Sequence, residues 1–184
     1  MLSRRQIREA VLQFLYSFDL EGGADPSGMR EAFWDFVTES DRKMLIAATV
    51  RAVKHLALGR EDRLVQLFSR IAKARNEFGS RPEAEGLLEM LERIQALESK
   101  WSEVFGQLEK QMRDVGDTSA NDVERILNRL FEVDHALEEA RTSFLQALED
   151  VPSMKGRLEP VVAAIRRLQR ISDRARMIEN PEQF

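Results

Sequence analysis

The chain has 184 residues, no cysteine, and a net charge of −4 from 28 Lys/Arg against 32 Asp/Glu. That length suits one domain, or one and a half, and allows a core that needs no covalent staples. The missing thiols exclude a disulfide framework, thiolate catalysis and cysteine metal sites, and they suit a reducing cytosol. Only 5 prolines and 9 glycines stand among abundant Leu, Ala, Glu and Arg, which points to an all-α protein.

The first predicted helix runs from Ser3 to Leu20, with Ile7, Val11, Phe14, Leu15 and Phe18 on one face. Gly22-Gly23 stop it. A short helix after Ser27 turns Met29, Ala32, Phe33, Phe36 and Val37 inward. Ser40 or Asp41 caps the next, whose stripe is Leu45, Thr49, Ala52, Val53 and Leu56 and which Gly59 ends. "REDRLVQLFSRIAKARNEFG" is a fourth helix, with Leu64, Leu67, Phe68, Ile71 and Phe78 inward. "GSRPEAEG" then divides the chain into residues 1–79 and 80–184.

A long helix follows from Glu83 to Asp114, with Leu87, Leu91, Ile94, Leu97, Trp101, Val104, Leu108 and Met112 at threes and fours. After "DVGDTSAND" a second long helix covers Asp122 to Asp150. Val123, Leu130, Leu137, Phe144 and Val151 repeat every seven residues, followed three later by Ile126, Val133, Ala140 and Ala147, which is a heptad seam. Both helices reach roughly 45 Å, so residues 83–150 are expected to form an antiparallel hairpin. The last predicted helix, Pro160 to Ile178, buries Val161, Ile165, Leu168 and Ile178 and displays Arg166, Arg167, Arg170, Arg174 and Arg176. The total is about seven helices.

Charge is distributed unevenly. Residues 1–79 carry 13 Lys/Arg and 11 Asp/Glu, residues 80–150 carry 8 and 17, and residues 151–184 carry 7 and 4. Two mildly basic ends therefore flank an acidic centre, and charges of that kind ordinarily solvate helix faces. "SRRQI" opens like a twin-arginine signal, but Arg8, Glu9 and Asp19 break the apolar run that must follow it. No window approaches 18 uncharged apolar residues, so no membrane span is expected and the cytoplasm is the expected location.

No catalytic constellation emerges. Glu132 and His135 have the Glu-x-x-His spacing of di-iron bundles, but His55 is preceded at that spacing by Ala52. The heptad also puts Glu132 and His135 at c and f positions, away from the seam. There is no Gly-rich phosphate loop, no Walker lysine and no His-Glu-x-x-His. A non-enzymatic protein is expected, without cofactor or metal. Arg166, Arg167 and Arg170 sit near a helix C-terminus, where cations favour the dipole, and they are also numerous enough to contact phosphates.

The N-terminal cluster is unlike these. Arg4 and Arg8 lie four apart on one helix face with Arg5 beside them, at a helix start where positive charge is unfavourable by a few tenths of a kcal/mol. Such a placement invites an anion, since backbone N–H groups at the same tip point at it. Tyr16, the only tyrosine, follows Arg8 by eight residues, roughly on the same side. An aromatic beside arginines is the pairing used on single-stranded RNA.

Arg4-Arg5-x-x-Arg8-Glu9, continued by Gln13-x-Leu15-Tyr16-x-x-Asp19-Leu20, resembles the opening helix of the NusB transcription antitermination factor family. Ile7 and Val11 stand where that family usually has alanines. "SDRKMLIAATVRAVKHLALGREDRLVQLFSRI" is similar, more weakly, to its next helices, with Ala48 where glycine is typical. The likeness covers about 70 residues, and the hairpin and Arg-rich final helix stand where the family's second half has other helices. It implies a NusB-like helical bundle that binds boxA-type single-stranded RNA together with a NusE-type ribosomal protein, in antitermination. Carried over by residue, the implied RNA contacts are Arg4, Arg5 and Arg8, with Tyr16. The alternative is a helical scaffold, or a homodimer through the hairpin, that keeps the fold without binding RNA.

Overall fold

The computed structural model describes the backbone of residues 11–12, 16, 26–113 and 120–175, and side-chain environments at 11–12, 16, 33–35, 37–113 and 120–168. Among these described residues there are five α-helices and no strand. They are α1 (Pro26–Ala57), α2 (Arg60–Phe78), α3 (Glu85–Arg113), α4 (Ala120–Glu149) and α5 (Pro152–Ala175), with a 3-10 turn at Pro82–Ala84. None of the described helices is long and apolar enough to cross a membrane. The chain divides into two compact units, Met1–Ala47 and Ala48–Phe184, and α1 contributes residues to both.

In the first unit, Val11, Leu12 and Tyr16 are helical, while the rest of the predicted Ser3–Leu20 helix lies outside the described residues. Val11, expected to face inward, is 44% exposed. The two helices expected around residues 27–58 are one: α1 runs without a break from Pro26 to Ala57. Ser40 and Asp41 do not act as a new start, because residues 29–57 hold neither Gly nor Pro to interrupt the helix. Glu39 instead reaches forward to Arg42 and Lys43, at 3.5 and 3.6 Å, in the spacing that stabilises a continuing helix.

In the second unit, the end of α1 buries Val50 and Val53. Gly59 then separates α1 from α2 at φ +67°, a left-handed conformation that only glycine adopts without strain. α2 buries Leu64, Leu67, Ile71, Ala74 and Phe78, close to the predicted stripe. α3 and α4 pair along their length; their short connection, residues 114–119, requires an antiparallel arrangement. The expected hairpin is therefore present. α2 packs against α5 and α3, and α5 packs against α4, so both outer helices lie on the hairpin.

The hairpin seam is turned from the one expected. Val123, Leu130, Leu137 and Phe144 are buried as the heptad requires, together with Val133 and Ala140. Ile126 and Ala147 are only half-buried, and the inner face is widened instead by Leu127, Asp134, Arg141 and Leu148, one residue further on. In α3 the same turn places Glu98, not Leu97, inside, between Ile94 and Trp101. Both helices have a partner on each side of the seam, which calls for a wider inward face than an isolated two-stranded coil.

α5 begins eight residues before the predicted Pro160 start, at Pro152, where a first-turn proline fits. Pro160 lies inside the helix. Its missing N–H leaves the carbonyl of Gly156, four residues before, without the usual intrahelical donor, and the Pro160 carbonyl accepts a hydrogen bond from Arg70 Nη1 at 2.5 Å. Met154 and Leu158, both fully buried, hold this first stretch of the helix to the core. Val161, Ile165 and Leu168 are buried as predicted, each contributing roughly 1.5–3 kcal/mol of apolar transfer.

Candidate functional site

Arg4, Arg5 and Arg8 lie outside the described residues, and so does the side chain of Arg170. Tyr16 stands on a helix in the first unit with 68% of its surface exposed. Arg166 and Arg167 are exposed neighbours on α5 in the second unit. Arg166 lies 4.0 Å from Glu159, an exposed pair that water largely screens. His135 is also exposed and its Nε2 is 3.5 Å from Glu139 Oε1, one turn along α4. Among the described residues no group of three His, Asp or Glu side chains is placed to hold a metal ion.

The densest chemistry in the described residues is a buried cluster that the sequence reading did not select. Glu98 on α3 is fully buried and forms ion pairs through both carboxylate oxygens. Its Oε2 accepts from Arg60 Nη2 at the first position of α2, and its Oε1 accepts from Arg141 Nη2 on α4. One carboxylate thus ties three helices together. Arg60 is 3% exposed and Arg141 is fully buried. The Arg60 guanidinium also lies over the Trp101 ring, 3.9 Å from its centroid, in the geometry of a cation–π contact. Trp101 stacks in turn on Phe105, with centroids 5.3 Å apart and planes 17° apart.

Asp134, one turn of α4 before Leu137 and seven residues before Arg141, completes the cluster and is 8% exposed. Burial pushes its carboxyl above the ordinary aspartate value, outweighing the downward pull of Arg60 and Arg141. Burial likewise pushes the Arg60 guanidinium below its usual value, with Glu98 opposing. With Asp134 ionised the four side chains are neutral; with it protonated they carry one positive charge. Asp134 Oδ1 and the Nε and Nη1 of Arg60 are buried without a hydrogen-bond partner.

Arg60 and Trp101 also line a groove between α2 and α3, about 620 Å³ in volume. Its walls include Leu64, Val65 and Phe68 from α2 and Phe105 and Gly106 from α3, with Glu61 and Glu109 among the polar lining groups. Val65 is 64% exposed, an apolar side chain that the groove leaves open.

A signal for the cluster was present in the sequence. Glu98 follows Ile94 by four and precedes Trp101 by three, so it lies on the apolar stripe itself. Asp134 and Arg141 repeat at seven, like Leu127 and Leu148 on either side. Charged residues in apolar register are rare, and they are buried only when paired. Comparison of the chain with protein-family models, curated proteins and solved structures found no match to any of them.

Proposed function

We propose that the chain is a non-catalytic, NusB-like RNA-binding protein of transcription elongation and antitermination, acting in the cytoplasm. Arg4, Arg5 and Arg8 neutralise phosphates of a boxA-type single strand, and Tyr16 stacks on a base. Arg166, Arg167 and Arg170 supply further phosphate contacts, and a NusE-type ribosomal protein is the partner. The bundle of about seven helices in that family is the architecture this reading assigns to the whole chain. The observation that carries it is Tyr16: the only tyrosine, two-thirds bare on a helix and two turns from an arginine cluster. A buried structural tyrosine would speak for a core role instead.

The test is titration of a boxA-like single-stranded RNA by fluorescence anisotropy at several salt concentrations. Replacing Arg4, Arg5 and Arg8 together with alanine weakens binding and flattens the salt slope by about 2 units, at roughly 0.7 per phosphate on single strands. Tyr16→Ala lowers affinity about tenfold at every salt concentration, as expected for one stacked base. An unchanged slope in the triple variant removes these arginines from the interface.

A second reading is favoured by the Arg60–Glu98–Arg141 bridge. A buried ion pair adds little net stability over apolar packing but can fix helix register, as a scaffold or dimerisation protein requires. It predicts no RNA affinity and a stable homodimer through the hairpin, checked by sedimentation equilibrium.

A further inference from the structure

We propose that the seam between α2 and α5 binds the phosphodiester backbone of a nucleic-acid strand, without regard to base sequence. The charges of the second unit separate by helix. α2 and α5 together carry 11 Lys/Arg against 5 Asp/Glu, whereas the hairpin helices α3 and α4 carry 7 against 13. The two basic helices are packed neighbours, so the acidity of the whole chain hides a cationic face. Two contacts fix the register along it. Arg70 Nη1 donates to the Pro160 carbonyl at 2.5 Å, and the Arg157 guanidinium stands 5.7 Å from the centre of the Phe78 ring. Phe78 follows Arg70 while Arg157 precedes Pro160, so the helices run antiparallel. Counting outward from Arg70 and Pro160, Arg63 comes level with Arg167 and Lys73 with Arg157, to within about one turn.

Arg63 and Lys73 lie about 80° apart around α2 with Arg70 between them, and Arg157 and Arg167 lie about 80° apart around α5. The result is a ladder of five cations roughly 15 Å long. Pairing divides the described cations of these two helices along the same line. Off the seam, Arg60, Arg75, Lys155 and Arg166 each have a glutamate partner. On the seam, Arg70 bonds a carbonyl, and among the described residues no carboxylate pairs with Arg63, Lys73, Arg157 or Arg167. Glu77 is the one carboxylate inside the two sectors, with Asp62 at the edge of the α2 sector. Facing cations without counter-charge repel, and a polyanion laid along them removes that repulsion. The occupant follows from what the seam lacks. Among the described residues none of the exposed large apolar side chains lies on it, so a peptide finds no anchor and a base no stacking platform. Phosphates remain, and four arginines to one lysine suit their bidentate geometry. The surface lies wholly in the second unit and stands independently of Arg4, Arg5, Arg8 and Tyr16, although Arg167 belongs to both readings.

The test uses the full chain with Arg4→Ala, Arg5→Ala and Arg8→Ala as background, which removes the N-terminal cluster. A labelled oligouridylate of about 12 nucleotides is titrated by fluorescence anisotropy at several salt concentrations. Binding is expected to weaken linearly on a log–log salt plot. Adding Arg63→Gln, Lys73→Gln, Arg157→Gln and Arg167→Gln should flatten the slope by about 3 units, at roughly 0.7 per phosphate, and weaken binding at least about tenfold at low salt. A mixed-sequence oligonucleotide of equal length should bind within about twofold of the oligouridylate, as backbone contacts require. Arg70 is left in place because it bonds the Pro160 carbonyl.

The urea midpoint of the glutamine variant is expected to hold or rise, because the groups removed repel one another; a fall would assign these cations to the fold and overturn the proposal. Glu77→Gln is the independent arm, since it removes the one opposing carboxylate and should tighten binding several-fold at low salt. Unchanged affinity in Glu77→Gln, an unchanged salt slope in the glutamine variant, or equal competition by polyglutamate of the same charge would each overturn the proposal. Salt-sensitive self-association of the free protein, lost in the glutamine variant, would replace the nucleic acid with the acidic hairpin of a second copy. The two RNA readings separate cleanly. If the N-terminal alanines change nothing and the seam glutamines abolish binding, only the seam survives; the reverse result leaves only the N-terminal cluster.

Discussion

Glu98 is fully buried with an arginine on each of its oxygens, and the energetics of that arrangement are asymmetric. The intact bridge offers little over an apolar core, but removing one member leaves uncompensated charge in a dry site. Glu98→Ala is accordingly expected to destabilise the protein by about 3–5 kcal/mol in urea unfolding, far more than an exposed glutamate such as Glu103. Asp134 differs because burial raises its carboxyl above the unfolded value. The native state then holds a proton that the unfolded chain has lost. The stabilising contribution of this group is complete below the unfolded value and disappears as pH rises through the raised, folded one. The expected outcome is that Asp134→Asn gains stability relative to the parent as pH rises above the ordinary aspartate value of 3.8, read as the difference in unfolding free energy at each pH. A difference that shrinks with rising pH would mean that the two arginines, not burial, dominate at Asp134.

At the scale of the element, the continuity of α1 and the early start of α5 show how weak a cap or a proline is against the rest of a helix. Ser40 and Asp41 have the right chemistry for a helix start, yet Glu39 pairs forward across them and α1 continues. If a helix began there, Asp41→Pro would occupy a favourable first position. In the continuous α1 it is expected to destabilise by about 3 kcal/mol and to reduce helical ellipticity. Gly59 is a break that does hold, because its φ of +67° is closed to other residues without strain. Gly59→Ala should destabilise by about 1–2 kcal/mol, whereas Gly106→Ala, on an open helical face, should stabilise by about 0.5–1 kcal/mol. Both are measurable as shifts in thermal midpoint.

Over the whole molecule, the arrangement of the second unit makes α2 part of the hairpin's packing. α2 lies against α5 and α3, and it delivers Arg60 to Glu98. A fragment of residues 48–184 is therefore expected to unfold in one cooperative transition. A fragment of residues 80–184 leaves Glu98 with one arginine instead of two and strips the α2 side of α5. It should unfold with a lower denaturant midpoint and a broader transition. Circular dichroism against urea distinguishes them.

Much of this was legible in the sequence. The helices of the second unit, the hairpin from residue 83 to 150 and the stripes Leu64–Leu67–Ile71 and Val161–Ile165–Leu168 follow from a periodicity of 3.6, which is a local property of the chain. Glycine at position 59 as a stop is equally local. The tertiary structure decided which of two neighbouring stripes faces inward. Leu97 and Glu98 lie one residue apart, as do Ile126 and Leu127, and a helix can bury either by turning through about 100°. The choice fell to Glu98, Asp134 and Arg141 because α2 brings Arg60 to the same point, from 38 residues away in the chain. No local pattern contains that distance, and so the buried bridge and the groove above it belong to the packing of three helices.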